Sequence, residues 1–145
     1  MNVSLCQINK ENYSQVCDLD VLKEQEDYVA CNMWSLVEAQ FNDGYRCRAI
    51  TLNEDIVGFL MWVEETSIKS SIWRFMVDQK FQQQGVGRQA LQLAIDEIKQ
   101  KNELCEIEIC YHPKNPVAKT FYASFGFIEV GMDEDDDDML AIIQL

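Results

Sequence analysis

The chain is poor in proline, glycine and cationic residues, and each shortage narrows what it can be. Two prolines and six glycines in 145 residues leave no segment with the composition of a flexible linker. We therefore expect one domain over residues 1–145. Apolar residues make up 48%, too many for a chain that is disordered throughout. The sequence has no apolar run long enough for a membrane helix and no basic segment followed by an apolar stretch at its start, so neither a membrane span nor a signal peptide is expected.

The shortage of positive charge argues against two classes of partner. Twelve Lys and Arg residues face 25 Asp and Glu residues, which gives a net charge of −13. We expect no nucleic-acid partner, because the sequence has no basic stripe, and no membrane partner, because an anionic membrane surface would repel the chain. A small cationic partner would be attracted to it. The alternative is that the acidity only keeps the protein soluble.

The cysteine and histidine content argues against a metal site. The six cysteines include no C-x-x-C pair, and the chain has one histidine, His112. No zinc-ligand spacing is therefore present, and we expect no bound metal. Cys47, Cys105 and Cys110 lie in apolar strand-like runs, where cysteine acts as a small hydrophobic residue, so the expected location is the reducing cytoplasm.

Hydrophobic periodicity and turn residues predict an α+β fold with the order β-α-α-β-β-β-α-β-α-β-β. The predicted helices span residues 9–22, 26–41, 85–100 and 116–125. The predicted strands span residues 3–8, 45–52, 56–63, 68–77, 104–111, 127–132 and 139–145. We expect a mixed, mostly antiparallel sheet in which one parallel crossover joins the strands that contain Ile72 and Cys110.

The most informative motif lies at the start of the third predicted helix. Gln82 is followed by Gly85, Gly87 and Arg88, so glycines stand where the free N–H groups of a helix suit a phosphate. A Walker A loop is excluded because no Lys-Ser/Thr pair follows Gly87. A dinucleotide fingerprint, G-x-G-x-x-A, matches from Gly85 onward, but residues 78–84 separate it from the preceding strand. A helix start without any ligand remains the third alternative.

Two motifs together resemble the GNAT acyltransferase superfamily. Gln82-x-x-Gly85-x-Gly87 resembles its acetyl-CoA signature, Q/R-x-x-G-x-G/A. Asn115-x-x-Ala118-x-x-x-Tyr122-x-x-x-Gly126-Phe127 resembles a later block of the same superfamily. The predicted element order resembles that fold over nearly the whole chain. The resemblance implies a sheet that separates between its fourth and fifth strands, with acetyl-CoA bound there as co-substrate.

The resemblance also implies roles for particular residues. Exposed backbone groups near Met76 and Val77 would bind the pantetheine arm, Gln82 would shape the phosphate loop, and Asn115 would contact the cofactor from the other side. Backbone N–H groups of a continuous segment would hold the pyrophosphate: Gln83, Gln84, Gly85, Val86, Gly87 and Arg88. Tyr122 matches the tyrosine that donates a proton toward the departing thiolate. The alternative for Tyr122 is packing beside Phe121 and Phe125.

The sequence indicates the acceptor amine less specifically than it indicates the co-substrate. Asp18-Leu19-Asp20-Val21, Gln25-x-x-Tyr28 and residues 74–78 resemble bacterial diamine/spermidine N-acetyltransferases, which implies a polyamine such as spermidine or spermine. The alternatives are another cationic amine, such as an aminoglycoside or a peptide or protein amine, and a non-catalytic acyl-CoA-binding module. The superfamily's frequent dimers make a homodimer an open expectation.

Other site residues stay unassigned at this stage. The base that deprotonates the amine could be Glu64, Glu65, Asp78 or another carboxylate. His112 is expected at the surface or at the cofactor rim. The acidic run at residues 133–138 begins with Asp133 and ends with Asp138. The resemblance implies that it lies near the acceptor mouth, where it would attract a polycation, and the alternative is a solvated hairpin loop.

Overall fold

One seven-stranded sheet organises the molecule, whose computed structural model describes residues 1–28 and 30–145. The strands are β1 (Val3–Cys6), β2 (Tyr45–Leu52), β3 (Asp55–Glu64), β4 (Lys69–Val77), β5 (Glu106–Tyr111), β6 (Ile128–Met132) and β7 (Met139–Gln144). They lie in the order β1-β2-β3-β4-β5-β7-β6. β4 and β5 are parallel and every other neighbouring pair is antiparallel, which confirms the predicted mixed sheet and its parallel crossover.

Four helices connect the strands in the predicted order. They are α1 (Tyr13–Cys17), α2 (Asn32–Gln40), α3 (Val86–Ile98) and α4 (Ala118–Ala123), and short 3₁₀ helices lie at Lys23–Gln25 and Gln79–Phe81. Apolar residues of α3 pack on the sheet face that carries Leu60 and Trp62. The opposite face, which carries Phe59 and Met61, packs against α1, because neighbouring strand residues point to opposite sides. Among the described residues, no helix has the length and apolar character needed to cross a membrane.

The predicted bounds of the first two helices are wrong. Residues 18–22 do not continue α1, because the Asp20 backbone is hydrogen-bonded to the end of β4: its N–H donates to Asp78 and its carbonyl accepts from Gln79. The second helix begins at Asn32 rather than at residue 26, and Cys31 caps it by accepting the Trp34 N–H. Of the intervening segment, residues 26–28 form a turn, and Val29 lies outside the described residues. In the first place a contact distant in sequence overrides the local helical pattern, and in the second a turn and a local cap delay the start of the helix.

The central strands separate partway along their length. Pairing between β4 and β5 runs from Lys69 opposite Glu106 to Ile72 opposite Ile109 and then stops. Beyond that point β4 stays paired with β3 as far as Val77, while β5 stays paired with β7 as far as Tyr111. The predicted separation between the fourth and fifth strands is therefore confirmed. It leaves one edge of β4 without a strand partner from residue 73 onward.

Candidate functional site

Two adjoining cavities open beside the separated part of β4, and their walls share Tyr28, Phe75, Asn115 and Tyr122. The smaller cavity has a volume of about 220 Å³ and extends toward the start of α3. Its walls include most of the predicted cofactor residues: Met76, Val77, Gln82, Gln83, Gly87 and Asn115. The remaining predicted residues, Gln84, Gly85, Val86 and Arg88, lie in the adjoining loop and first helical turn rather than in the wall. The larger cavity has a volume of about 410 Å³ and extends toward β5 and β7.

A network of side-chain amides fixes the loop that precedes α3. The Gln82 amide donates to the Val77 carbonyl at 2.9 Å. It is also paired with the Gln25 amide through two hydrogen bonds of 2.9 and 3.1 Å. Gln25 in turn accepts the Leu22 N–H at 3.0 Å. Gln82 therefore joins the end of β4 to the segment before α2, and the loop enters the helix along a defined path.

The loop before α3 and the first turn of α3 border the smaller cavity at Gln83 and Gly87. Gln83 and Gly85 both have positive φ, 60° and 86°, which turns the chain sharply into the helix. The first N–H groups of an α-helix have no carbonyl partner within the helix. The side chain of Val86 is buried in the core, so only the backbone of this residue can face a ligand. A Cβ at Gly87 would lie 3.7 Å from both Phe75 and Val77, so glycine keeps that part of the cavity wall open.

The position of Arg88 has a structural explanation within the chain. Its guanidinium donates to the Ser124 hydroxyl at 2.8 Å and lies over the rings of Phe121 and Phe125, 5.3 and 4.9 Å from their centroids. These contacts tie the first turn of α3 to α4. A nearby phosphate is therefore not needed to explain a cation at this end of the helix.

The loop between β5 and α4 carries Asn115 to the boundary of the two cavities. The Asn115 side chain accepts the Val117 N–H at 3.3 Å, and the Asn115 backbone N–H donates to the His112 carbonyl at 2.9 Å. At the other end of α4, the N–H of Gly126 donates to Ala123 and the N–H of Phe127 donates to Tyr122. That pair of bonds, with Gly126 at φ 99°, forms a Schellman motif and ends the helix where the sequence predicts.

Tyr122 lies in the walls of both cavities. Its ring stacks on Tyr111 with centroids 5.4 Å apart and meets Phe121 and Phe127 edge to face. Burial raises the pKa of the Tyr122 phenol above its ordinary value, and the neighbouring Cys110 and Tyr111 raise it further. The phenol is therefore protonated at neutral pH and can donate a hydrogen bond. Core packing and a position at the site, which the sequence posed as alternatives, coexist in this residue.

The larger cavity contains both charged and aromatic groups. The Asp27 and Asp138 carboxylates line it, as do the rings of Trp73 and His112. Its one lining cation among the described residues, Arg74, is paired with Glu38 at 3.4 Å. Such a combination of acidic and aromatic groups suits an organic cation.

The Cys110 thiol also lines the larger cavity. Burial raises its pKa to about 12. Because the thiolate is the nucleophilic form, Cys110 is unsuited to accept an acyl group at neutral pH.

The three carboxylates named as candidate bases lie outside the walls of both cavities. Glu64 pairs with Arg46 at 3.2 Å, and Glu65 accepts from Ser71 at 2.8 Å, both near the end of β4 that remains paired with β5. The Asp78 carboxylate accepts the Lys80 and Asp20 N–H groups at 3.0 and 2.9 Å, which stabilises the turn after β4. The structure brings none of these carboxylates into the wall of either cavity.

Sequence reasoning did not single out two residues of the larger cavity, although it placed the run that contains Asp138 near the acceptor mouth. Asp27 lies in a stretch that the sequence predicts as helix, and no sequence pattern indicated that it would line a cavity. Asp138 was one of six acidic residues in a row, and only its place directly before a predicted strand distinguished it. Within that run, Asp138 is the residue that lines the cavity in the described part of the chain, whereas Glu134 to Asp137 are exposed.

Comparison with known proteins gives one family over most of the chain. The sequence profile described as "Acetyltransferase (GNAT) family" matches residues 4–127. A relative described as spermine/spermidine N(1)-acetyltransferase, from Bacillus subtilis (strain 168), is 24% identical over 134 residues, which covers 88% of each chain.

Solved structures share the fold at lower identity. The spermidine N-acetyltransferase from Vibrio cholerae, in complex with CoA and spermine, has a TM-score of 0.79 at 15% identity and covers 98% of this chain and 95% of its own. The ribosomal-protein-S18-alanine N-acetyltransferase from Escherichia coli has a TM-score of 0.66 at 17% identity, with 99% and 93% coverage. The two neighbours are named for different acceptors, so the shared fold does not by itself identify the acceptor.

Proposed function

The chain belongs to the acetyltransferase (GNAT) family, and from this premise we propose that it transfers the acetyl group of acetyl-CoA to a primary amine of a diamine or polyamine. The observation that carries the proposal is the pair of adjoining cavities. One lies at a glycine-bearing helix start, and the other is lined by carboxylates and aromatic rings. They meet at Tyr122, which would be next to the reacting thioester.

The smaller cavity fits acetyl-CoA in its chemistry. Unpaired N–H groups at the start of α3 suit a pyrophosphate, and the open wall at Gly87 allows its close approach. The unpartnered edge of β4 near Met76 and Val77 would offer backbone groups, other than the Val77 carbonyl that accepts from Gln82, to the amides of a pantetheine arm. Asn115 faces both cavities from the opposite side. These residues would hold the co-substrate with its thioester near the boundary of the two cavities.

The chemistry that follows is direct attack by the amine on the thioester carbonyl. The C–N bond forms, the C–S bond breaks, and the thiolate takes a proton. The protonated phenol of Tyr122 would supply this proton or donate a hydrogen bond to the thiolate as its charge develops. The neutral Cys110 thiol favours this route over an acetylated enzyme, since a thiol with a pKa of about 12 is a poor nucleophile at neutral pH.

Three further observations support a polyamine as the acceptor. The larger cavity offers carboxylates for ammonium groups and rings for the methylene segments between them. Its volume lies within the range of small-molecule sites, roughly 300–1,000 Å³. The relatives named above include a spermine/spermidine acetyltransferase and a structural neighbour solved with spermine.

A panel assay for free CoA release tests the proposal. Purified protein and acetyl-CoA are incubated with putrescine, spermidine, spermine, an aminoglycoside and a peptide with a free N-terminal alanine. The proposal expects the highest kcat/KM with a polyamine. A preference for the peptide or the aminoglycoside would reassign the acceptor. Acetyl-CoA binding without turnover of any amine would instead indicate a non-catalytic binding module.

A further inference from the structure

Asp138 lines the larger cavity, whose wall also includes Tyr122. The next residue, Met139, begins β7 and lies opposite Tyr111, the last residue of β5. Asp138 therefore lies beside the end of β5, next to the His112 loop, where β5 has already left β4. It is half-buried, whereas the neighbouring Asp137 is exposed and lines neither cavity.

The turn before β7 holds Asp138 in place. The Asp133 N–H donates to the Asp138 carbonyl at 2.8 Å, which closes the hairpin. The Asp133 carboxylate accepts the Asp137 N–H at 2.9 Å, and the Asp136 N–H donates to the Asp133 carbonyl at 3.0 Å. The backbone at Asp138 is thus fixed on both sides, by this turn and by the β7 ladder.

The surroundings of Asp138 make its carboxylate a stronger base than an ordinary one. Burial raises the pKa of Asp138, and the nearby Asp133 and Asp137 raise it further, against the opposing effect of His112 and Arg74. The charged and titratable groups around it, from its own turn and from the elements beside it, are Asp133, Asp137, Arg74, Cys110, His112, Asp27, Tyr111 and Tyr122.

We propose that Asp138 is the catalytic base, which takes a proton directly from the ammonium group of the acceptor in the larger cavity. The inference rests on the proposed function, because it requires an amine acceptor there.

The ammonium group of the acceptor must lose a proton before it can attack, so the reaction requires a base. An alkylammonium has a pKa near that of Lys, about 10.4, so nearly all of the acceptor arrives protonated at neutral pH. One proton passes from the ammonium to Asp138 and then to solvent. The neutral amine attacks the thioester carbonyl, and the nitrogen loses a second proton as the C–S bond breaks. Tyr122 donates a proton to the departing sulfur and regains the second proton lost by the nitrogen, so the products are the acetylated amine, CoA thiol and one released proton.

The test compares Asp138→Asn with Asp137→Asn, which removes the same charge from the adjacent exposed position. With the best polyamine at about pH 7.5, kcat/KM of Asp138→Asn should fall by about 10²-fold or more. Asp137→Asn should keep the wild-type kcat at this pH, and its KM reports the effect of loop charge; because Asp137 raises the pKa of Asp138, the acidic limb of its pH profile should move only to lower pH. The Asp138→Asn variant must use amine that is already neutral. Its deficit should therefore shrink by about tenfold per pH unit as the pH approaches the amine pKa of about 10.4.

A second variant separates a lost base from a disturbed fold. Added formate should restore at least about tenfold of the activity lost in Asp138→Ala, because a small carboxylate can enter the vacated space and accept the proton. It should not affect Asp137→Ala. A deficit that stays constant with pH and is not rescued by formate overturns the assignment, as does an Asp138→Asn variant that matches Asp137→Asn. If the wild type acetylates no amine at all, the proposed function fails, and this inference fails with it.

Discussion

At the scale of single residues, the hydroxyl of Tyr122 is the group whose loss should affect chemistry most selectively. Tyr122→Phe keeps the stacking on Tyr111 and the edge contacts with Phe121 and Phe127 but removes the donor. We expect kcat to fall by about 10²-fold, at the lower end for general acid assistance, while acetyl-CoA affinity stays nearly constant. Steady-state kinetics with calorimetric binding measure both quantities. Full kcat in a chemistry-limited assay would show that Tyr122 serves only packing.

The cysteines provide a second residue-scale prediction through their different pKa values. Burial raises the pKa of Cys47 to about 11 and that of Cys110 to about 12, whereas Cys31 and Cys105 are exposed. Alkylation requires the thiolate, so Cys110 has roughly a thousandfold less reactive form at pH 8 than an ordinary thiol of pKa about 8.5. Iodoacetamide followed by peptide mass spectrometry should find Cys31 and Cys105 modified well before Cys47 and Cys110. Equally rapid modification of Cys110 would contradict its assignment as a neutral, unreactive thiol.

At the scale of elements, a side chain added at the start of α3 should leave the fold stable but weaken acetyl-CoA binding. A Cβ at Gly87 meets its neighbours at 3.7 Å, an ordinary contact, and alanine favours a helix over glycine by about 1 kcal/mol. Gly87→Ala should therefore unfold at the same or a higher denaturant concentration. Because the added methyl stands in the cavity wall, acetyl-CoA affinity should fall by about tenfold, equivalent to about 1.4 kcal/mol.

Gly126→Ala is the matched control for that variant. Its φ of 99° is left-handed and a Cβ there meets nothing within 4 Å, so the substitution strains the end of α4 without entering the smaller cavity. We expect a stability loss of about 1–2 kcal/mol and unchanged acetyl-CoA affinity. Unchanged affinity in a folded Gly87→Ala variant would remove the start of α3 from the binding site.

The sequence predicts elements well where local and tertiary preferences agree. The stripe of apolar residues in α3 and the turn at Gly126 end up as predicted, because periodicity and chain reversal are local properties. The predicted start of the second helix is wrong: residues 26–28 form a turn, directly after Gln25, whose amide pairs with Gln82 across 57 positions, a contact that no local pattern encodes. Asp138 could not be singled out for a similar reason: the packing of β7 against β5, not composition, brings it to the larger cavity.

At the scale of the whole molecule, the topology explains why the two cavities share one set of lining residues. β4 belongs to the meander, and β5 belongs to the β5-β7-β6 half of the sheet. Their separation opens the gap that α3 borders on one side and the β7 turn on the other. Residues at the gap, such as Tyr122 and Asn115, therefore face both regions. The reacting groups would meet there without any rearrangement of the sheet.

The net charge of −13 gives a prediction about the whole molecule. A strongly acidic surface raises the local concentration of a multivalent cation, and salt screens the attraction, with a Debye length of about 30 Å at 0.01 M and about 3 Å at 1 M. Raising the salt over that range at saturating acetyl-CoA should increase KM most for spermine, less for spermidine and least for a monoamine. The kcat values should hardly move, because attraction felt equally by ground and transition states does not speed the chemical step. Equal changes in KM for all three amines would show that the acidity affects solubility rather than acceptor capture.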